Sequence, residues 1–267
     1  MANSNSWQKI FDDYDILKHD FEESPFRLSA EQIKRACQDF THTGEKEVRI
    51  LCKQDSREDR PEIFQKHGLF LLPVRNGHYA IIKGEGYVDI PQTKEEIRVY
   101  SSKLHFQLDT AKVGDSEMQH LDYAYATSLI RTFMNDPTLV LTIRGRKYTP
   151  GFEFRVGSQL IAVSGVQTEV DAGYEGEGQV VLVEAKRSGT ANVIIRQLYY
   201  PFRQWQAHTK KKVVTLFFEK SQNERVYSIW QFQFTDATDY NSIALVKSGR
   251  FRILDREAGR GDSALQT

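Results

Sequence analysis

Apolar positions recur along this chain in two rhythms, a helical one in patches and a strand-like one through most of the second half. Ser4 to about Leu17 mixes apolar and acidic residues and predicts a short docking helix. Ser29-Ala-Glu-Gln32 predicts a capping box opening a helix with Ile33, Ala36, Cys37 and Phe40 on one face. Val48 to Cys52 predicts a short strand, on its β-branched content. Asp59-Arg60-Pro61 starts another helix, with Pro61 suited to the first turn and Gly68 to the stop. Leu69–Val74 and His78–Ile82 flank Asn76-Gly77, a strong hairpin signal. Helices followed by a hairpin suit either a winged-helix-like DNA-binding unit or a small α+β lid.

Polar residues after Pro91, from Gln92 to Glu96, mark a soft boundary. The chain divides there into an N-terminal region at 1–95, for DNA contact or dimerisation, a core at 96–255, and a loose polar tail at 256–267. In the core, Met118, Leu121, Tyr125, Leu129 and Phe133 keep a helical period from Asp115 to about Met134, ended by Asn135-Asp-Pro137. Strand-like segments follow at Leu139–Ile143, Phe152–Val156, Gln159–Ser164, Val166–Ala172 and Gln179–Ala185. A helix from about Ala191 to Gln206 comes next, bent at Pro201, with Ile194, Leu198, Phe202 and Trp205 as its buried stripe. Val213–Phe218, Val226–Phe234 and Ile243–Leu254, the last broken by Gly249, read as strands. This order predicts an α+β fold, an α/β sandwich on a mixed central sheet.

Composition changes this picture little. At 267 residues the chain can bury a sizeable core as one large domain or two smaller ones. Its 36 basic and 36 acidic residues cancel, so a nucleic-acid partner would need a local basic surface rather than a global field. No apolar run reaches the roughly 20 residues of a membrane span. The N-terminal Met-Ala-Asn-Ser-Asn-Ser-Trp lacks a signal-peptide pattern, and the two cysteines, Cys37 and Cys52, suit free thiols in a reducing cytoplasm.

The chemistry gathers at Glu169-Val-Asp171, a glycine-rich turn, and Val183-Glu184-Ala-Lys186. As a hairpin turning at Glu177-Gly178, this register sets Asp171 opposite Glu184, with Lys186 on the same face as Glu184. Glu169 shares a face with Asp171. Two carboxylates on facing strands suit a hard divalent cation, with the Ala185 carbonyl as a third oxygen. Lys186 can lower the pKa of a metal-bound water or stabilise a pentavalent phosphate, which suits phosphodiester hydrolysis. The bland alternative is a solvated hairpin with ordinary surface charges.

An acid on one strand, Glu184-Ala-Lys186 on the next and then a helix resembles the PD-(D/E)XK nuclease superfamily, although Val170 stands where its proline usually precedes the first acid. Gln197 with Tyr200 looks like the Gln-x-x-Tyr element of many members, and Glu117 matches their upstream helical acid loosely. Ser116-Glu-Met-Gln119, Gln54 to Pro61, Gly68 to Pro73 and Asn192 to Phe202 read like bacterial type II restriction endonucleases, a resemblance covering roughly residues 50 to 205. It implies a restriction-endonuclease-like core and a bacterial cytoplasmic enzyme cutting double-stranded DNA at a specific sequence. Mg²⁺ would be the cofactor, with Mn²⁺ able to substitute, and a homodimer would match a palindromic target. Asp171, Glu184, Lys186, Gln197 and Glu117 would be catalytic; Asp171, Glu184, Ala185 through its carbonyl, and Glu169 would hold metal.

Between Glu184 and Glu219 stand seven Lys or Arg and no acid. Arg187, Arg196 and Arg203 are therefore expected to contact phosphates; Arg144, Arg146 and Lys147, at an expected turn, either reach a groove or serve as ordinary surface charges. Lys210 to Lys212 serve equally as a solvated helix end. No zinc, nucleotide-binding or Gly-x-Ser-x-Gly pattern appears, so no nucleotide cofactor is expected. A structure- or damage-directed repair nuclease or junction resolvase of the same fold is the alternative, or a non-catalytic DNA-binding module.

Overall fold

The computed structural model describes residues 2–92, 95–221 and 226–254; the expected tail at 256–267 lies outside them. The N-terminal region comprises α1 (Ala2–Asp13), β1 (Phe26–Ser29), α2 (Ala30–Ala36), α3 (Thr43–Lys46), α4 (Val48–Leu51), α5 (Glu62–Lys66), β2 (Leu69–Arg75) and β3 (His78–Lys83). Ser29 caps α2 as its sequence predicts: its hydroxyl accepts the Gln32 N–H at 3.1 Å, and Gln32 Oε1 accepts the Ser29 N–H at 2.8 Å. Residues 48–52 are expected as a strand, but 48–51 form α4 and Cys52 caps it. Val48 and Leu51 lie three apart and are both buried, and the Leu51 carbonyl accepts the Trp7 indole N–H at 3.0 Å. Tertiary packing overrides β propensity here.

The strands pair in the order β1-β3-β2, all antiparallel. One face packs with Trp7, Phe11 and Phe64; Phe70, Leu72, Ala80 and Ile82 join a second core with Phe154, Tyr199 and Tyr240. The β2–β3 hairpin is thus packed on both faces, with β3 as the middle strand and β2 at an edge.

The remainder contains β4 (Tyr87–Asp89), β5 (Arg98–Ser101), α6 (Glu117–Ala126), α7 (Leu129–Met134), β6 (Val140–Tyr148), β7 (Phe152–Val156), β8 (Gln159–Val163), β9 (Gln167–Glu175), β10 (Gln179–Arg187), β11 (Asn192–Ile194), α8 (Arg196–Gln206), β12 (Lys212–Lys220), β13 (Val226–Phe234) and β14 (Ile243–Leu254). Its sheet runs β5-β14-β13-β12-β10-β9-β6, parallel between β10 and β12 and between β14 and β5, antiparallel elsewhere. This is the α+β architecture with a mixed central sheet that the pattern predicts. β7–β8 and β4–β11 form small pairs beside it. No described helix is long and apolar enough to cross a membrane.

Alternation along β10 builds the sandwich. Val181, Val183 and Ala185 pack with Leu121, Leu129 and Phe133 of α6 and α7, while Val180 and Leu182 pack on the other side with Val170 and Trp205.

Several element boundaries differ from expectation. The helix expected over 115–134 is two: Ser128 adopts φ +69 and the Thr127 hydroxyl donates to the Tyr123 and Ala124 carbonyls, closing α6 before α7 begins. The helix expected from Ala191 starts only at Arg196, because residues 192–194 pair with β4 as β11. Arg144, Arg146 and Lys147 lie in the edge strand β6 rather than a turn. Gly249 does not break β14; the Phe251 ring fills the space a side chain there would need.

Candidate active site

The β9–β10 ladder runs Val180↔Glu175 to Val183↔Ala172, so its register, carried one step further, sets Asp171 across from Glu184. There the backbone ladder gives way to a side chain: Asp171 Oδ2 accepts the Ala185 N–H at 2.8 Å. On the other side of β9, Ile143 pairs with Gly173 and Gly145 with Val170, so β9 spends three residues where β6 spends two. That bulge falls at Asp171, and bulges re-aim side chains next to sites.

Asp171, Glu184 and Lys186 line one cavity of about 280 Å³, together with Glu169, Arg196 and Gln197. Lys186 Nζ donates to Glu184 Oε1 at 2.5 Å. Glu184 is 8% exposed, and its carboxyl is pushed up to about 7. Burial is the main cause, helped by the charges of Asp171 and Asp55 and opposed by Lys186. Burial also raises Asp171, against the pull of the Ala185 amide and the Lys186 charge. For Lys186 burial works downward, but the Glu184 carboxylate, Asp55 and Asp171 outweigh it and hold the ammonium above its ordinary value. Lys186 is therefore a cation at neutral pH, not a base.

α8 supplies the cavity's other wall. Pro201, inside the helix, has no N–H to give the Gln197 carbonyl one turn earlier. The Gln197 side-chain oxygen is buried and has no hydrogen-bond partner among the described residues. Tyr200 is fully buried and donates to the Pro73 carbonyl at 2.9 Å, fixing α8 to the N-terminal sheet. Glu117, at the first position of α6, joins Lys186 in lining an adjoining cavity of about 810 Å³, and its charge acts on Asp171. Glu169 faces the smaller cavity and pairs with Arg146 at 3.3 Å.

The basic residues are less uniform. Arg196 lines the cavity, and its nearest acid is Asp55 at 3.8 Å. Arg203 lies outside the cavity: its guanidinium donates to the Glu153 carbonyl (3.0 Å), the Ala237 carbonyl (2.6 Å) and Tyr199 Oη (2.8 Å). Arg144 is occupied by Asp122. Lys147 is exposed on β6. Lys211 ties down the β9–β10 turn through Glu175 (2.5 Å) and the Gly176 carbonyl (2.9 Å). The side chain of Arg187 lies outside the described residues.

Asp55 is the site residue that sequence reading misses. It borders the larger cavity with Lys186 and Glu117, and its backbone carbonyl accepts the Ile194 N–H at 2.9 Å. The run from Gln54 to Pro61 carries the only signal, and it assigns Asp55 no role.

The donor set suits a hard cation. Asp171 and Glu184 could hold one, with the partnerless Gln197 oxygen beside them, since Mg²⁺ takes one or two carboxylates and keeps several waters. Among the described residues no three His, Cys, Asp or Glu side chains are placed so as to hold a metal ion together; Mg²⁺ held by one or two carboxylates does not require three.

Fold and site together define an α+β protein with a buried acid–lysine pocket on adjacent sheet strands. The chain belongs to the family described as Domain of unknown function (DUF6997), which it matches over residues 82–252. Residues 4–81 match a second, described as Domain of unknown function (DUF6996). Comparison with curated proteins and with solved structures finds no match.

Proposed function

We propose that this protein is a Mg²⁺-dependent endonuclease of the type II restriction kind, hydrolysing phosphodiester bonds at a specific sequence in double-stranded DNA. The observation that carries this reading is the convergence of Asp171, Glu184 and Lys186 on one cavity. Bound Mg²⁺ supplies Lewis-acid chemistry and a water of lowered pKa.

The chain's own residues do the rest. Asp171 and Glu184 would hold the cation, whose charge would offset the burial that raises the Glu184 carboxyl to about 7. Asp171 is already oriented by the Ala185 amide. Lys186, charged and anchored on Glu184, faces the negative charge that develops on the scissile phosphate. Gln197 orients water through its free amide oxygen, Glu117 sets the local field, and Arg196 contacts backbone phosphate. A homodimer would present two such sites to a palindromic duplex.

The test is incubation of a long phage DNA with the protein and Mg²⁺. Discrete, reproducible bands are expected. Cutting confined to branched or damaged substrates would instead assign a structure-directed nuclease, and tight binding with no cutting a non-catalytic module.

A further inference from the structure

A second cavity, of about 750 Å³, opens where β1, β2 and β3 meet β7 and β8, and it shares no lining residue with the cavities at Lys186. Its size lies in the range of small-molecule sites. Val74, Phe152 and Val163 give it an apolar, partly aromatic wall. The Phe152 ring is held edge-on by Tyr200 at 5.6 Å, with the Arg203 guanidinium 4.9 Å from its centroid, so the platform is rigid.

The polar groups at its mouth are of two kinds. Arg27 on β1 and Arg75 on β2 are exposed and form no ion pair among the described residues. Glu153 on β7, an exposed acid whose backbone carbonyl accepts from Arg203, lines the same cavity. A matching ligand needs a flat apolar face, an edge of N–H donors and an anionic group. A simple anion leaves the aromatic wall uncovered, and an aliphatic ligand leaves both arginines unmatched.

We propose that this cleft binds a single nucleotide, with its base against Phe152, its phosphate between Arg27 and Arg75, and its amino or imino edge toward Glu153. Bases stack on aromatic side chains whatever their sequence, carboxylates accept from base amino groups, and arginine forks match phosphate. The nucleotide comes either free from solution or as an unstacked member of a nucleic-acid strand. The site stands independently of nuclease activity.

The experiment uses the full chain in EDTA, where no Mg²⁺-dependent cutting intervenes. One probe is free 2-aminopurine deoxyribonucleoside monophosphate; the other is a short duplex carrying one unpaired 2-aminopurine. Fluorescence quenching on binding is expected with at least one probe. Arg27→Glu and Arg75→Glu, both at exposed positions, should each weaken it by about tenfold, the scale of losing a charged hydrogen bond. Phe152→Leu, which keeps the apolar volume, should weaken it by about tenfold through lost stacking. Binding of the free nucleotide that is sensitive to these changes supports a soluble ligand. Binding of the duplex alone, with the same sensitivity, supports a strand nucleotide. Failure of both probes at millimolar concentration, or wild-type affinity in both arginine variants, overturns the proposal.

Discussion

Burial of Glu184 between β10 and α8 sets the chemistry of the site before any ligand arrives. Its carboxyl is raised from 4.5 to about 7, so between those values the folded protein holds a proton that the unfolded chain releases. The stability this contributes is fully present below the unfolded value and is lost as pH rises through about 7. Thermal unfolding in EDTA at pH 5 and pH 8, for wild type and Glu184→Gln, reads the effect. The gap should move in the variant's favour at the higher pH, by at most about 3 kcal/mol at about 1.4 kcal/mol per pH unit. A gap independent of pH would mean that Glu184 titrates normally. Lys186 leaves this window untouched, since its shift is upward from an already basic value.

At the scale of elements, the site depends on how closely β6 approaches β9. Gly173 faces Ile143, and a Cβ at Gly173 would lie 2.6 Å from the Ile143 Cβ. Gly173→Ala should therefore destabilise the protein by about 1–3 kcal/mol, as overpacking does, lowering its urea midpoint. An unchanged midpoint would show that the edge strand yields freely. Much of this element was legible in the sequence. Alternation and the turn at Glu177-Gly178 imply the β9–β10 register and the shared face of Glu184 and Lys186. The bulge at Asp171 was not, because it arises from pairing with β6, a partner no local pattern names. The same holds for α4, whose residues carry strand propensity and obey Trp7 and the N-terminal core instead. Residues 192–194 likewise continue a helical pattern but pair with β4, over a hundred positions earlier in the chain. Local chemistry sets caps, turns and periodicity; distant partners decide where an element begins.

For the whole molecule, the two family matches meet at residues 81 and 82, yet the site draws on both sides of that junction. Asp55, from the N-terminal match, borders the same cavity as Lys186 and Glu117 and lies 3.8 Å from Arg196. Asp55→Asn should lower cleavage about 10- to 100-fold, the scale of losing a supporting partner around a metal site, with the fold intact by circular dichroism. Cleavage at the wild-type rate would separate the N-terminal region from the chemistry. The most direct measurement is single-turnover cleavage of phage DNA in Mg²⁺ by wild type, Glu184→Ala and Lys186→Ala, with DNA binding measured in parallel. The wild type should cut while both variants bind DNA and leave it intact. Cutting at the wild-type rate by either variant, or no cutting by the wild type, would contradict the assignment of this pocket as a nuclease active site.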